Sequence, residues 1–140
     1  MDRRPGDHET ERSALLTTCG RLLGSIGLLI LVVLLPATFL VVAGTLGLIN
    51  APGWAGDNTS VFGFFLVVVP AGIALATVHF LVGGLILARR FWPVVVTVLL
   101  VLAVVTVFPL GLRISWPFLS LTLLYAASLL LTVVRQAEFG

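Results

Sequence analysis

A chain of 140 residues that is 59% hydrophobic and only 10% charged departs from the balance of a water-soluble domain, which is about 45–50% apolar and about 25% charged. So short a chain has too little interior to hide that much apolar surface, and a single lipid-facing domain is expected. The formal charge of +2 comes from eight scattered basic residues, all Arg, which excludes the gathered basic face of a nucleic-acid binder.

Arginine without lysine, amid abundant Leu, Val, Ala and Gly, is the bias of a GC-rich genome and suggests a bacterial source. Cys19 is the single cysteine, so neither an intrachain disulfide nor a multi-cysteine metal site is expected. The segment before it lacks the apolar stretch of a lipobox, and Cys19 reads as an ordinary thiol.

Residues 1–12 mix Arg3, Arg4 and Arg12 with Asp2, Asp7, Glu9 and Glu11, broken by Pro5 and Gly6. This reads as a disordered tail of nearly balanced charge. Its acids, and the length of the apolar stretch that follows, argue against a secretory signal. From residue 13 to 136 the charges cut an otherwise oily sequence into four lengths, about 22–49, 61–88, 91–112 and 114–134. Each suits a helix crossing the bilayer, which needs about 20 apolar residues. The segments are too long for barrel strands and lack their alternation. Backbone groups must be satisfied within the segment in lipid, so helices are required. The expected class is all-α: a polytopic membrane protein built as a four-transmembrane-helix bundle.

In the first span, Gly20, Gly24, Gly27, Thr38 and Thr45 share a face at helical periodicity, and Pro36 interrupts the backbone ladder. Residues 50–58 carry turn chemistry, with Asn58, Thr59 or Ser60 placed to cap the second span. The second span aligns Gly72, Ala76, His79 and Gly83 at spacings of four, three and four, with Pro70 upstream. Arg89-Arg90 closes it. The third span is nearly all Val and Leu and is expected to be the most lipid-exposed. Pro93 and Pro117 fall in the first turns of spans three and four, where a missing N–H costs nothing, and Ser115 is placed to cap the fourth. Small residues let helices approach in lipid, so spans one, two and four are expected to pack most tightly.

Seven arginines lie in the three regions that share one side of a four-span topology, and only Arg113 lies on the other. This asymmetry predicts a multi-pass protein of the cell (inner) membrane with both termini and the Arg89-Arg90 turn cytoplasmic. Trp54 and Trp116 are expected at the outer interface and Trp92 at the inner one. Arg89 and Arg90 are also candidates for lipid headgroup contact, although an arginine pair is equally an orientation device.

His79 is the one ionisable side chain deep in a predicted span, and such groups are functional candidates by default. It has a bland alternative, a neutral ring donating to a backbone carbonyl. Pro36 and Pro70 are either hinges near a pathway or tolerated irregularities. No catalytic set, membrane carboxylate, metal-ligand cluster or cofactor motif is legible, so no enzyme, metal or cofactor is expected. The reading that follows is a non-enzymatic membrane component acting through association, either as a homo-oligomer or with a larger membrane protein. A small-molecule or ion transporter or channel, and a cofactor-binding membrane subunit, are the alternatives.

Overall fold

The computed structural model describes the backbone of residues 7–48, 58–112 and 115–139, and the side chains of residues 13–48, 61–108 and 115–139. The described residues form four helices: α1 (Asp7–Thr45), α2 (residues 58–88), α3 (Trp92–Leu112) and α4 (Trp116–Val134). A short 3-10 turn, Gln136–Glu138, follows α4. The chain is all-α among the described residues. By length and composition, Ser13–Thr45 in α1, Val61–Ala88 in α2 and Trp116–Val134 in α4 are long and apolar enough to cross a membrane, and Trp92–Phe108 in α3 is a shorter apolar stretch.

The helix ends follow from local chemistry. α1 stops where Gly47 takes φ +69°. There the Leu48 N–H donates to Ala43 O at 2.9 Å and the Gly47 N–H to Gly44 O at 3.1 Å, the paired pattern that closes a helix on a left-handed residue. α2 closes in the same pattern. The Arg90 N–H donates to Leu85 O at 3.0 Å and the Arg89 N–H to Ile86 O at 3.2 Å. Here the left-handed residue is Arg89, at φ 53°, where a side chain costs roughly 1–2 kcal/mol relative to glycine. Phe91, at φ 51°, starts α3 by accepting the Val94 and Val95 N–H groups.

α2 is not uniform. It is α-helical over Asn58–Gly63, π-helical over Phe64–Val68 and α-helical again over Val69–Ala88. The Val69 N–H donates to Phe64 O, five residues back. Pro70 explains the position of this wide turn. Its ring crowds the carbonyl of the preceding turn and it offers no N–H, and one extra residue in the turn relieves that crowding.

The chain divides into two compact units, one of Met1–Gly24 with Leu81–Gly140 and one of Ser25–Phe80. In the first unit α3 packs along α4. Val95, Leu99, Leu102 and Thr106 of α3 are buried, as are Tyr125, Ser128 and Thr132 of α4. Thr122 Oγ1 donates to Thr106 Oγ1 at 2.9 Å, and the Trp92 indole N–H donates to Thr132 O at 3.0 Å. In the second unit α1 and α2 meet where Gly27 faces Ala76 and His79, and where Gly72 faces Leu34.

Three expectations are corrected. Residues 7–12, read as part of a disordered tail, are helical. After Gly6 the sequence has no breaker before the apolar span, and extending a formed helix gains one hydrogen bond per residue. α3, expected to be the most lipid-exposed span, instead packs along α4 and buries Val95, Leu99, Leu102 and Thr106, because the small Ser128 and Thr132 of α4 are buried with them. Ser115 stands at the start of α4 and its carbonyl accepts the Leu119 N–H, but its side chain makes no cap. Trp92 is committed to a carbonyl near the end of α4, one of the groups a helix terminus leaves without an internal partner. The side chains of Trp54, Asn58, Thr59, Ser60 and Arg113 lie outside the described residues.

Candidate functional site

The glycine stripe of α2 faces α1 in both units. In the second, a Cβ on Gly27 would stand 2.9 Å from Ala76 O and 3.3 Å from His79 Cβ, and a Cβ on Gly72 would stand 3.2 Å from Leu34. In the first, a Cβ on Gly83 would stand 2.7 Å from Gly20 O and 3.0 Å from Gly24 N. Real Cβ atoms do not approach backbone so closely as at Gly27 and Gly83, so these two positions admit only glycine at this separation, whereas a Cβ at Gly72 asks only that the Leu34 side chain give way slightly. Ala76 and Gly83 are buried and Gly72 is half-buried.

His79 sits on this stripe with 1% of its surface exposed. Its Nδ1 lies 2.7 Å from Leu75 O. A carbonyl only accepts, so Nδ1 carries the proton and donates, and in the neutral ring Nε2 is then the acceptor nitrogen. The bond runs to the preceding turn of its own helix, which keeps the imidazole against α1. Among the described residues no group of three or more His, Cys, Asp or Glu side chains is arranged to hold a metal ion.

Pro36 and Pro70 are exposed. Beside the π turn, the second unit carries an open apolar cavity of about 400 Å³ on its surface, whose lining includes Leu29, Val33, Ala37, Phe64, Val68 and Gly72. The wide turn and the bare Gly72 together leave this space. Its volume falls within the range of small-molecule pockets, and its walls hold no hydrogen-bonding side chain. Sequence reasoning singled out Pro70 and Gly72 but missed the cavity, because a π turn has no composition signal of its own.

The other polar focus lies at the Arg89 turn. Arg89 Nη1 donates to Ile86 O at 2.7 Å. Nη2 donates to Ser13 O at 3.1 Å and Thr17 Oγ1 at 3.1 Å, and lies 3.5 Å from Ser13 Oγ. Arg89 Nε is 3.6 Å from Glu138 Oε2, and Arg135 Nη1 is 2.6 Å from Glu138 Oε1. One carboxylate thus serves two guanidinium groups. Arg90 is exposed at the flank. The pairing of Arg89 with Arg135 and Glu138 was not legible in the sequence, since 46 or more residues separate them from the turn in the chain.

Among the described residues these features amount to an all-helical fold with three membrane-span candidates, a close glycine-mediated pairing of α1 and α2, and a basic cluster at one turn. No family model matches the chain, and no curated protein or solved structure is significantly similar to it.

Proposed function

We propose that the chain is an integral membrane protein crossing the bilayer four times, with both termini and the Arg89-Arg90 turn on the cytoplasmic side, that acts by associating with other transmembrane helices rather than by catalysis. Exposure supports the membrane reading: 17%, 11% and 17% of the residues in the hydropathic windows of α1, α2 and α4 are buried. Leu35, Val104 and Phe108 present 72%, 62% and 75% of their surface. In water each such side chain forgoes roughly 1.5–3 kcal/mol of burial. α3 runs 21 residues in full, which comes to about 31 Å at about 1.5 Å per residue and matches the hydrocarbon thickness.

One observation carries the association reading. The inward stripe of α2 is consumed by α1, yet the helix keeps a second small-residue series, Ala74, Thr77, Gly84 and Ala88, that is exposed. A Cβ on Gly84 would meet nothing within 4 Å, so this glycine is not required by packing inside the chain. Ala74 and Thr77 are three apart and Gly84 and Ala88 four apart, with Leu81 between the two pairs, and small exposed positions of this kind favour close approach of a partner helix in lipid. Light scattering coupled to size exclusion, on detergent-solubilised protein, tests the reading. The expected result is a species larger than the monomer that Gly84→Leu converts to monomer. A strictly monomeric protein without a co-purifying partner would defeat it.

The cavity at the π turn favours a second reading, a small transporter or binding protein for an apolar solute. Flux of a hydrophobic dye in liposomes, compared between the native chain and His79→Ala, separates a pathway that uses His79 from one that does not.

A further inference from the structure

Among the described residues, the Arg89 turn holds more cationic capacity than the Glu138 carboxylate uses. Three of the contacts of Arg89 go to neutral oxygens of Ser13, Thr17 and Ile86, which fixes the guanidinium and leaves Nε directed at Glu138. Arg135 spends Nη1 on Glu138, while its Nη2 is buried with no hydrogen-bond partner among the described residues. A buried donor left unsatisfied is costly, and more so on a charged group. A carboxylate has only two oxygens. Here one faces Arg135 Nη1, and the other stands 3.6 Å from Arg89 Nε, beyond ordinary hydrogen-bonding distance.

We infer that Arg89 and Arg135 form a binding site for the phosphate of an anionic phospholipid, and that Glu138 is its built-in, displaceable occupant. A phospholipid phosphodiester offers two charged non-bridging oxygens and two weaker ester oxygens, enough to reach Arg135 Nη1, Arg135 Nη2 and Arg89 Nε together, and arginine forks suit that geometry. Glu138 is the outermost member, its side chain 27% exposed against 19% for Arg89 and 16% for Arg135. It is carried on a three-residue 3-10 turn beyond α4, so its side chain can turn away without disturbing α4. Arg90 at the flank adds attraction for an anionic surface. The inference rests on the membrane reading above and not on the association reading.

Native mass spectrometry of the full chain in micelles tests it, with phosphatidylglycerol and phosphatidylcholine added separately. The expected result is selective retention of phosphatidylglycerol. Glu138→Gln removes the competing charge and should raise retention about fivefold, the worth of roughly one charge at a membrane surface. Arg135→Gln should abolish the selectivity, and the double variant should lose the gain. A circular dichroism melt identifies variants that fail to fold, and Glu138→Gln alone still decides the matter because it predicts a gain. Equal retention of the two lipids, or no change with Glu138→Gln, overturns the proposal. Inorganic phosphate is the second arm: if it binds and displaces phosphatidylglycerol at equal concentration, the site is for a soluble anion and the lipid assignment falls. Micelles impose no orientation, so a negative result leaves the topology untouched.

Discussion

Gly83 and Gly84 are neighbours with opposite roles. A side chain at Gly83 drives into the backbone of Gly20 and Gly24, whereas one at Gly84 enters open space. Backbone cannot swing aside as a flexible side chain does, so α1 and α2 must separate to admit a Cβ at Gly83. Gly83→Leu is expected to destabilise the fold by about 1–3 kcal/mol or more, while Gly84→Leu leaves thermal stability nearly unchanged. Steric trapping or denaturant titration in detergent measures both. Equal losses at the two positions would mean that the separation of α1 and α2 is not set by Gly83. Arg89 shows another residue-scale trade. Its strained backbone persists because its side chain ties the start of α1 to the α2–α3 turn and the chain's C-terminal turn.

At the scale of the element, α2 shows how one proline reorganises a helix. Pro70 forces the wide turn over Phe64–Val68, and that turn borders the cavity. Pro70→Ala restores both an N–H and steric freedom, so residues 64–69 should relax to regular α-helix. The expected readout is slower amide exchange over residues 64–70 and weaker binding of a small apolar probe such as xenon, since the cavity narrows. Unchanged exchange and probe binding would assign the π turn to packing against α1 instead. α3 and α4 make a complementary case. Two helices of weak individual pattern pair through Thr122, Thr106, Trp92 and Thr132. Hydrogen bonds between transmembrane helices contribute modestly, about 0.6 kcal/mol on average, so the close Val and Leu contacts of α3 dominate.

For the molecule as a whole, helix length constrains placement. The apolar stretch of α1 has 33 residues, about 50 Å at about 1.5 Å per residue, against a hydrocarbon core of about 30 Å. Arg21 is exposed on α1, so the turns before it are expected outside the hydrocarbon. That agrees with Arg89 reaching Ser13 and Thr17, which places those turns level with the charged end of α2. Single cysteines introduced by Ala137→Cys and Ala55→Cys, in a Cys19→Ser background, test the orientation. An impermeant maleimide added to intact cells should label position 55 and spare position 137. The reverse pattern would invert the topology.

The sequence by itself determined what can be read along one dimension. Charge spacing and hydropathy marked the helices, because lipid leaves a backbone little alternative to helix. The periodicity of Gly72, Ala76, His79 and Gly83 marked the face that α2 turns to α1, because a regular helix converts spacing into direction. Tertiary structure alone decided that α3 pairs with α4, that Pro70 is resolved as a π turn beside a cavity, and that Arg89, Arg135 and Glu138 meet. Each of these depends on which distant segments come together or how strain is shared, and neither composition nor period encodes that.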